Sequence, residues 1–279
     1  MLFIIIGHIS GTMHTVVFSP IAGIGVTLFL FVSGYGLNCS FKNQGLKNFW
    51  KKKVKRVLIP YFFVIVVLRY FRYDFQPVDF LLDILGLDTT YWFVEFIVYW
   101  YIVFYVTSRW LKKYRIAAMT VVAVFMFFFL ELGLEKNEVF TFVIGVMASA
   151  YYERVYSITR RQWIVIGLCA FSLGALSLGV KQLPMVRAYH GELIYNFIIM
   201  CHTLMFTVTV FSIYAICPRL SHSRFLLFIG GISYELYLIH FPFYGLVSGN
   251  LLYAYLFIAA SILAAWLYSK AMKRLLSYI

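Results

Sequence analysis

The sequence predicts an all-α membrane protein, a polytopic bundle of about ten transmembrane helices with the first one truncated. Three observations lead there. Hydrophobic residues fill 63% of the 279 positions and charged residues 13%, whereas a soluble domain is about half apolar and a quarter charged. The apolar residues run in blocks long enough to cross about 30 Å of hydrocarbon as helix. The basic residues collect in every second connection between those blocks, the pattern that lipid and the positive-inside bias impose on a multi-pass chain. All of this belongs to a single domain, residues 1–279.

The strongest topological marker is FWKKKVKRVLIP, Phe49 to Pro60. Lys51, Lys52, Lys53, Lys55 and Arg56 are too many cations for hydrocarbon, so this stretch lies at or beyond a membrane surface. Met1–Ser10 is apolar but covers only about 15 Å as helix, half a span. His8 lies part-way across it, with His14 beyond it toward the outer face. The second span covers about Ile21–Asn38 and ends at the basic loop. The third runs over about Val57–Phe71. Asp74, Asp79, Asp83 and Asp88 then mark a stretch, Arg72 to Thr90, that reads as a short interfacial helix.

The fourth span covers about Tyr91–Ser108, the fifth about Ile116–Leu130 and the sixth about Val139–Tyr152. An acidic turn with Glu131, Glu135 and Glu138 separates the last two. The seventh covers about Trp163–Val180, the eighth about Leu193–Ile216, the ninth about Phe225–Val247 and the tenth about Leu251–Ser269. The loops after the second, fourth, sixth, eighth and tenth spans hold 19 of the 24 Lys and Arg, while ten of the eleven acids lie elsewhere. The basic loops and the C-terminus are therefore expected to be cytoplasmic. The net charge of +13 reports orientation rather than nucleic-acid binding.

Cys39, Cys169, Cys201 and Cys217 have no paired spacing, so neither a zinc site nor a redox pair is expected. No cleavable signal peptide is expected either, since no polar region follows the first apolar stretch.

Ionisable residues inside apolar spans cost several kcal/mol when they face lipid, which makes His8, Glu95, His202, Glu235 and His240 functional candidates. The bland reading of each is a side chain hydrogen-bonded within the bundle. Ser233, Tyr237 and His240 fall at i, i+4 and i+7 and share one helix face, with Ser233 a candidate N-cap after Gly230 and Gly231 and Pro242 a candidate kink. Trp92, Glu95 and Tyr99 share another face. Gly7, beside His8, permits a close helix approach. Histidine alone exchanges a proton near neutral pH without a large shift, so His8 or His240 could serve as a general base.

At these residues the sequence resembles the acyltransferase 3 family of membrane proteins, which includes O-acetyltransferases of bacterial surface glycans. GHIS around His8 is similar to the family's first-span histidine. FLFVSGYG, Phe29 to Gly36 with Ser33, resembles its Phe-rich Ser-Gly stretch. Lys53 and Arg56 stand at the positions of its basic pair, before Pro60 and Tyr61. YWFVEFIVYWYI resembles its Trp-Phe span. FIGGISYELYLIHFPF is similar to a segment carried here by Gly230, Ser233, Tyr234, Tyr237, Leu238 and His240.

The resemblance implies an acyl-CoA donor, typically acetyl-CoA, as co-substrate with no bound cofactor and no metal. It implies as partners a carbohydrate or lipid-linked glycan acceptor and the bilayer, and a place in a bacterial cytoplasmic membrane. His8 is the implied catalytic base. Lys53 and Arg56 are implied to bind the donor's phosphates, and Ser33, Trp92, Glu95, Ser233, Tyr234, Tyr237 and His240 to line the substrate pocket, the aromatic rings by stacking. Two departures stand out. The family carries an arginine upstream of the first histidine, at a distance for which the seven residues before His8 leave no room; a start placed too late is the favoured explanation over a divergent active form, and a degenerate, inactive copy is the third. Lys53 stands where arginine is common, and a lysine binds phosphate as a point charge without the bidentate fork. The competing class is a secondary transporter whose ionisable residues line a solute path; such proteins often show internal repetition, and no repeat is visible between the two halves.

Overall fold

In the computed structural model, residues 1–13, 18–71, 77–85, 91–247 and 249–278 are described. Every regular element among them is helical. The helices are α1 (Leu2–Thr12), α2 (Ser19–Gln44), α3 (Phe49–Lys53), α4 (Ile59–Phe71), α5 (Pro77–Leu85), α6 (Trp92–Trp110), α7 (Arg115–Phe129), α8 (Thr141–Ala150) and α9 (Tyr152–Tyr156). They continue with α10 (Arg160–Gln182), α11 (Pro184–Arg187), α12 (Leu193–Ile216), α13 (Arg224–Gly231), α14 (Ser233–His240) and α15 (Leu251–Leu276). A π-helical turn, Val54–Leu58, joins α3 to α4. His14, Asp74, Asp88 and Ser248 lie outside the described residues, and α5 occupies the place expected of an interfacial helix.

Among the described residues four helices are long and apolar enough to cross a bilayer, or five segments if one bent helix pair counts as a single span, against the ten spans expected. Four are single helices, α2, α10, α12 and α15, and the fifth is the pair α13–α14 with its continuation to Leu246, bent by 61°. The other apolar stretches make shorter helices, such as α7 with 15 residues and α8 with 10, which reach about 22 Å and 15 Å of the 30 Å needed. Surface composition agrees with lipid as the solvent. On α15, Leu252, Tyr255, Leu256, Leu263 and Leu267 are each more than half exposed, a stripe that water would not leave uncovered.

Two compact units make up the described chain. The first comprises Met1–Ala22, Leu46–Tyr99 and Arg224–Ile279. Its apolar core joins Ile5 and Ile9 of α1 to Ile232, Leu236, Val247, Ala254 and Ala265. Gly7 lets α1 lie against the start of α2, since a Cβ there would stand 2.3 Å from the Cβ of Ala22. Asn250 caps α15 by accepting from the Leu252 amide.

The second unit comprises Gly23–Gly45 and Trp100–Ser223. Here α2 and α8 cross backbone to backbone. A Cβ on Gly34 would lie 2.2 Å from the carbonyl oxygen of Phe142, and one on Gly145 would lie 2.1 Å from that of Phe31. The Ser-Gly stretch of α2 is thus required by helix approach. α10 opens with a Thr159–Gln162 capping box and pairs along its length with α12, Gly167 facing Ser212 and Gly174 facing the Phe206 ring.

Candidate active site

Of the candidate site residues read from the sequence, Ser33 and His202 fall in the second unit and the others in the first. Ser33 belongs to the second, where its hydroxyl donates to the Phe29 carbonyl one turn back on α2, at 2.8 Å.

The centre of the first unit is a pair of imidazoles. α1 brings His8 to the end of α14, where its Nδ1 lies 3.1 Å from Nε2 of His240. The rings are nearly parallel, 5.3 Å between centroids, and Tyr244 and Phe241 pack against His8 at 5.0 and 5.6 Å. His240 is fully buried and His8 half-buried.

The hydrogen bonds determine the tautomers. Nδ1 of His240 lies 2.8 Å from the Leu236 carbonyl. A carbonyl only accepts, so that nitrogen carries the hydrogen. In the neutral ring Nε2 is then an acceptor, and Nδ1–H of His8 must be the donor across the 3.1 Å gap. Nε2 of His8 is left with its lone pair. The arrangement can therefore take up one proton at His8 and stabilise the resulting imidazolium through His240.

An aromatic box fixes α14. Tyr91 donates its hydroxyl to the Leu238 carbonyl at 2.7 Å, and its ring meets Tyr61 and Tyr237 edge-on at 5.8 and 5.7 Å. Phe93 packs against Tyr237 at 5.5 Å, so Tyr237 is a buried wall of the box. Trp92 is half-buried beside Phe93 and Phe96. Glu95 accepts from the Tyr99 hydroxyl at 2.6 Å, the i, i+4 pairing expected from the spacing. Ser233 does not cap α14: the N-cap is Ile232, without a side-chain bond. Ser233 instead donates to the Gly230 carbonyl at 2.9 Å, because the break between α13 and α14 falls one residue earlier than the glycine pair suggested.

The cations sit on the turn before α4. Lys53 is half-buried, with its ammonium 5.7 Å from the Phe49 ring centre. Burial, then the charges of Arg56 and Lys52, bring its pKa down to about 8. Arg56 is exposed.

A family model described as an acyltransferase domain, Acyl_transf_3, matches residues 1–270. The chain belongs to the acyltransferase 3 family. Membership makes it an acyltransferase, and its long apolar helices make it an integral membrane protein. No curated protein and no solved structure matches it.

Two features of this acyltransferase were not singled out from the sequence. Tyr268 of α15 donates to the Pro60 carbonyl at 2.6 Å. In the second unit Glu138 accepts from the hydroxyls of Thr27 at 2.8 Å and Thr141 at 3.0 Å. It is 3% exposed, and burial raises its pKa to about 8 against the lowering effect of both hydroxyls. No local signal marks either residue: Tyr268 is an ordinary aromatic near a span end, and Glu138 reads as one more acid in an outer turn. His202, also picked from the sequence, is 1% exposed on α12 in this unit.

Proposed function

We propose that the protein transfers an acyl group, acetyl in the simplest case, from acyl-CoA to a hydroxyl of a cell-envelope glycan. In this reading His8 is the general base. The observation that carries it is the His8–His240 hydrogen bond, together with the Leu236 carbonyl that sets the direction of the chain. A sugar hydroxyl is a weak nucleophile at its own pKa and needs a base placed within hydrogen-bond reach. Its oxygen attacks the thioester carbonyl as its proton passes to Nε2 of His8. The imidazolium is held by the His240 lone pair. The tetrahedral intermediate collapses by breaking the carbon–sulfur bond, and the coenzyme A thiolate leaves with the proton returned by His8. The products are the ester and free coenzyme A.

Lys53 and Arg56 supply the positive charge that an anionic donor requires. Their place in the most basic connection puts them on the cytoplasmic side under the positive-inside bias. That side is where acyl-CoA is available, and the same bias places the C-terminus there; in this reading the chain is a multi-pass protein of the inner membrane. The pocket roles of Trp92, Glu95, Tyr237 and Ser33 are secondary in this reading, since each already has a partner or packs within its own unit.

The experiment is incubation of membranes containing the full chain with labelled acetyl-CoA, followed by isolation of polysaccharide and lipid-linked glycan. Label reaching glycan with the wild type and lost with His8→Ala at matched expression supports the assignment. Retained transfer by His8→Ala overturns the base. Solute uptake without acylation would instead favour a transporter.

A further inference from the structure

Lys53 and Arg56 are carried by an unusual piece of backbone. Pro60 has no N–H, so the helix cannot close the bond to the carbonyl four residues back, at Arg56, and the ring crowds that carbonyl. The chain answers with the π turn Val54–Leu58 directly before α4, the kind of one-residue widening that recurs at functional sites. A widened turn holds its side chains less firmly than α-helix unless something outside it ties the backbone down.

Two phenols do so. Tyr234, in the first turn of α14, donates to the Val57 carbonyl at 2.9 Å. Tyr268 on α15 donates to the Pro60 carbonyl at 2.6 Å. The two helices that supply them are bound to each other, with Ser269 donating to Glu235 at 3.1 Å and Leu236 packed into the same core as Ala265. α14 therefore holds the cationic turn at one end and the imidazole pair at the other, about 10 Å apart along its axis.

We infer that Tyr234 and Tyr268 are positioning residues which clamp the π turn, so that Lys53 and Arg56 meet the donor's phosphates in one fixed orientation relative to the imidazole pair. The inference rests on the acyl-CoA reading given above. It assigns Tyr234 a task of its hydroxyl, not of its ring face, and brings in Tyr268 from outside every family-like motif.

The test uses the full chain in lipid nanodiscs with Tyr234→Phe and Tyr268→Phe, which delete one oxygen each and keep the rings. Tyr255→Phe, on the exposed face of α15, is the control. Two quantities are read. Hydrogen exchange of the amides of residues 54–59 should quicken by about three- to tenfold in each variant, the equivalent of one lost hydroxyl–carbonyl bond. The KM for acetyl-CoA, and the Kd for coenzyme A itself, should rise by about the same factor while kcat stays within about twofold. Unchanged exchange overturns the clamp. Faster exchange with an unchanged KM, or a loss confined to kcat, overturns its positioning role. If the wild-type chain binds no coenzyme A, the donor reading falls, and the exchange data alone decide whether the phenols hold the turn.

Discussion

Replacing His240 separates the tautomer argument from a merely structural pairing. In His240→Leu, Nδ1–H of His8 loses the acceptor 3.1 Å away, and the His240 anchor to the Leu236 carbonyl is lost with it. Leaving a buried donor without a partner costs about 1–3 kcal/mol. If that cost falls on the transition state, where His8 is positively charged, kcat drops by about 5- to 150-fold at 1.36 kcal/mol per decade. The loss should be smaller than that of His8→Ala, which removes the whole base contribution of about 10²–10⁴. His240→Gln places an amide oxygen near the old Nε2 position and should recover much of the loss. The assay is transfer from labelled acetyl-CoA at saturating donor, in membranes with matched protein levels, with donor KM measured alongside. Wild-type kcat in a folded His240→Leu protein would refute the relay. Equal losses in the Leu and Gln variants would show that hydrogen bonding to His8 is not what matters at this position.

Other outcomes follow from the same geometry. Because Lys53 loses its proton near pH 8, kcat/KM for the donor should fall as pH rises through about 8, and Lys53→Met should flatten that limb of the profile. Gly7→Ala drives a Cβ to 2.3 Å from that of Ala22 and should destabilise the protein by about 1–3 kcal/mol. Adding Ala22→Gly removes the obstructing atom and should restore both melting temperature and activity. Glu138 has a folded-state pKa raised to about 8 from 4.5, so its contribution to stability is complete below about pH 4.5 and lost as pH rises through 8. Thermal unfolding in detergent should show that decline, and Glu138→Gln should abolish it.

Hydropathy and charge were enough to read the all-helical membrane character, the basic connections, and the bounds of α12, which match the expected Leu193–Ile216. Both are local properties: burial in lipid acts on each stretch of about 20 residues independently of what it packs against. The i, i+4 pairing of Glu95 with Tyr99 was legible for the same reason. The residues of the candidate site were visible as polar or aromatic exceptions in apolar surroundings, but their partners were not. His8 meets His240 across 232 positions, Tyr234 meets Val57 across 177 and Tyr268 meets Pro60 across 208. No periodicity connects residues so far apart; the packing of α1, α4, α14 and α15 does. The break between α13 and α14 and the π turn before α4 likewise depend on neighbours able to stabilise an irregular backbone inside a membrane protein. Sequence alone determined the all-helical, membrane-embedded character of the chain and marked the side chains that are expensive in lipid. Tertiary structure decided which of those side chains share a hydrogen bond, and therefore which nitrogen is free to accept a proton.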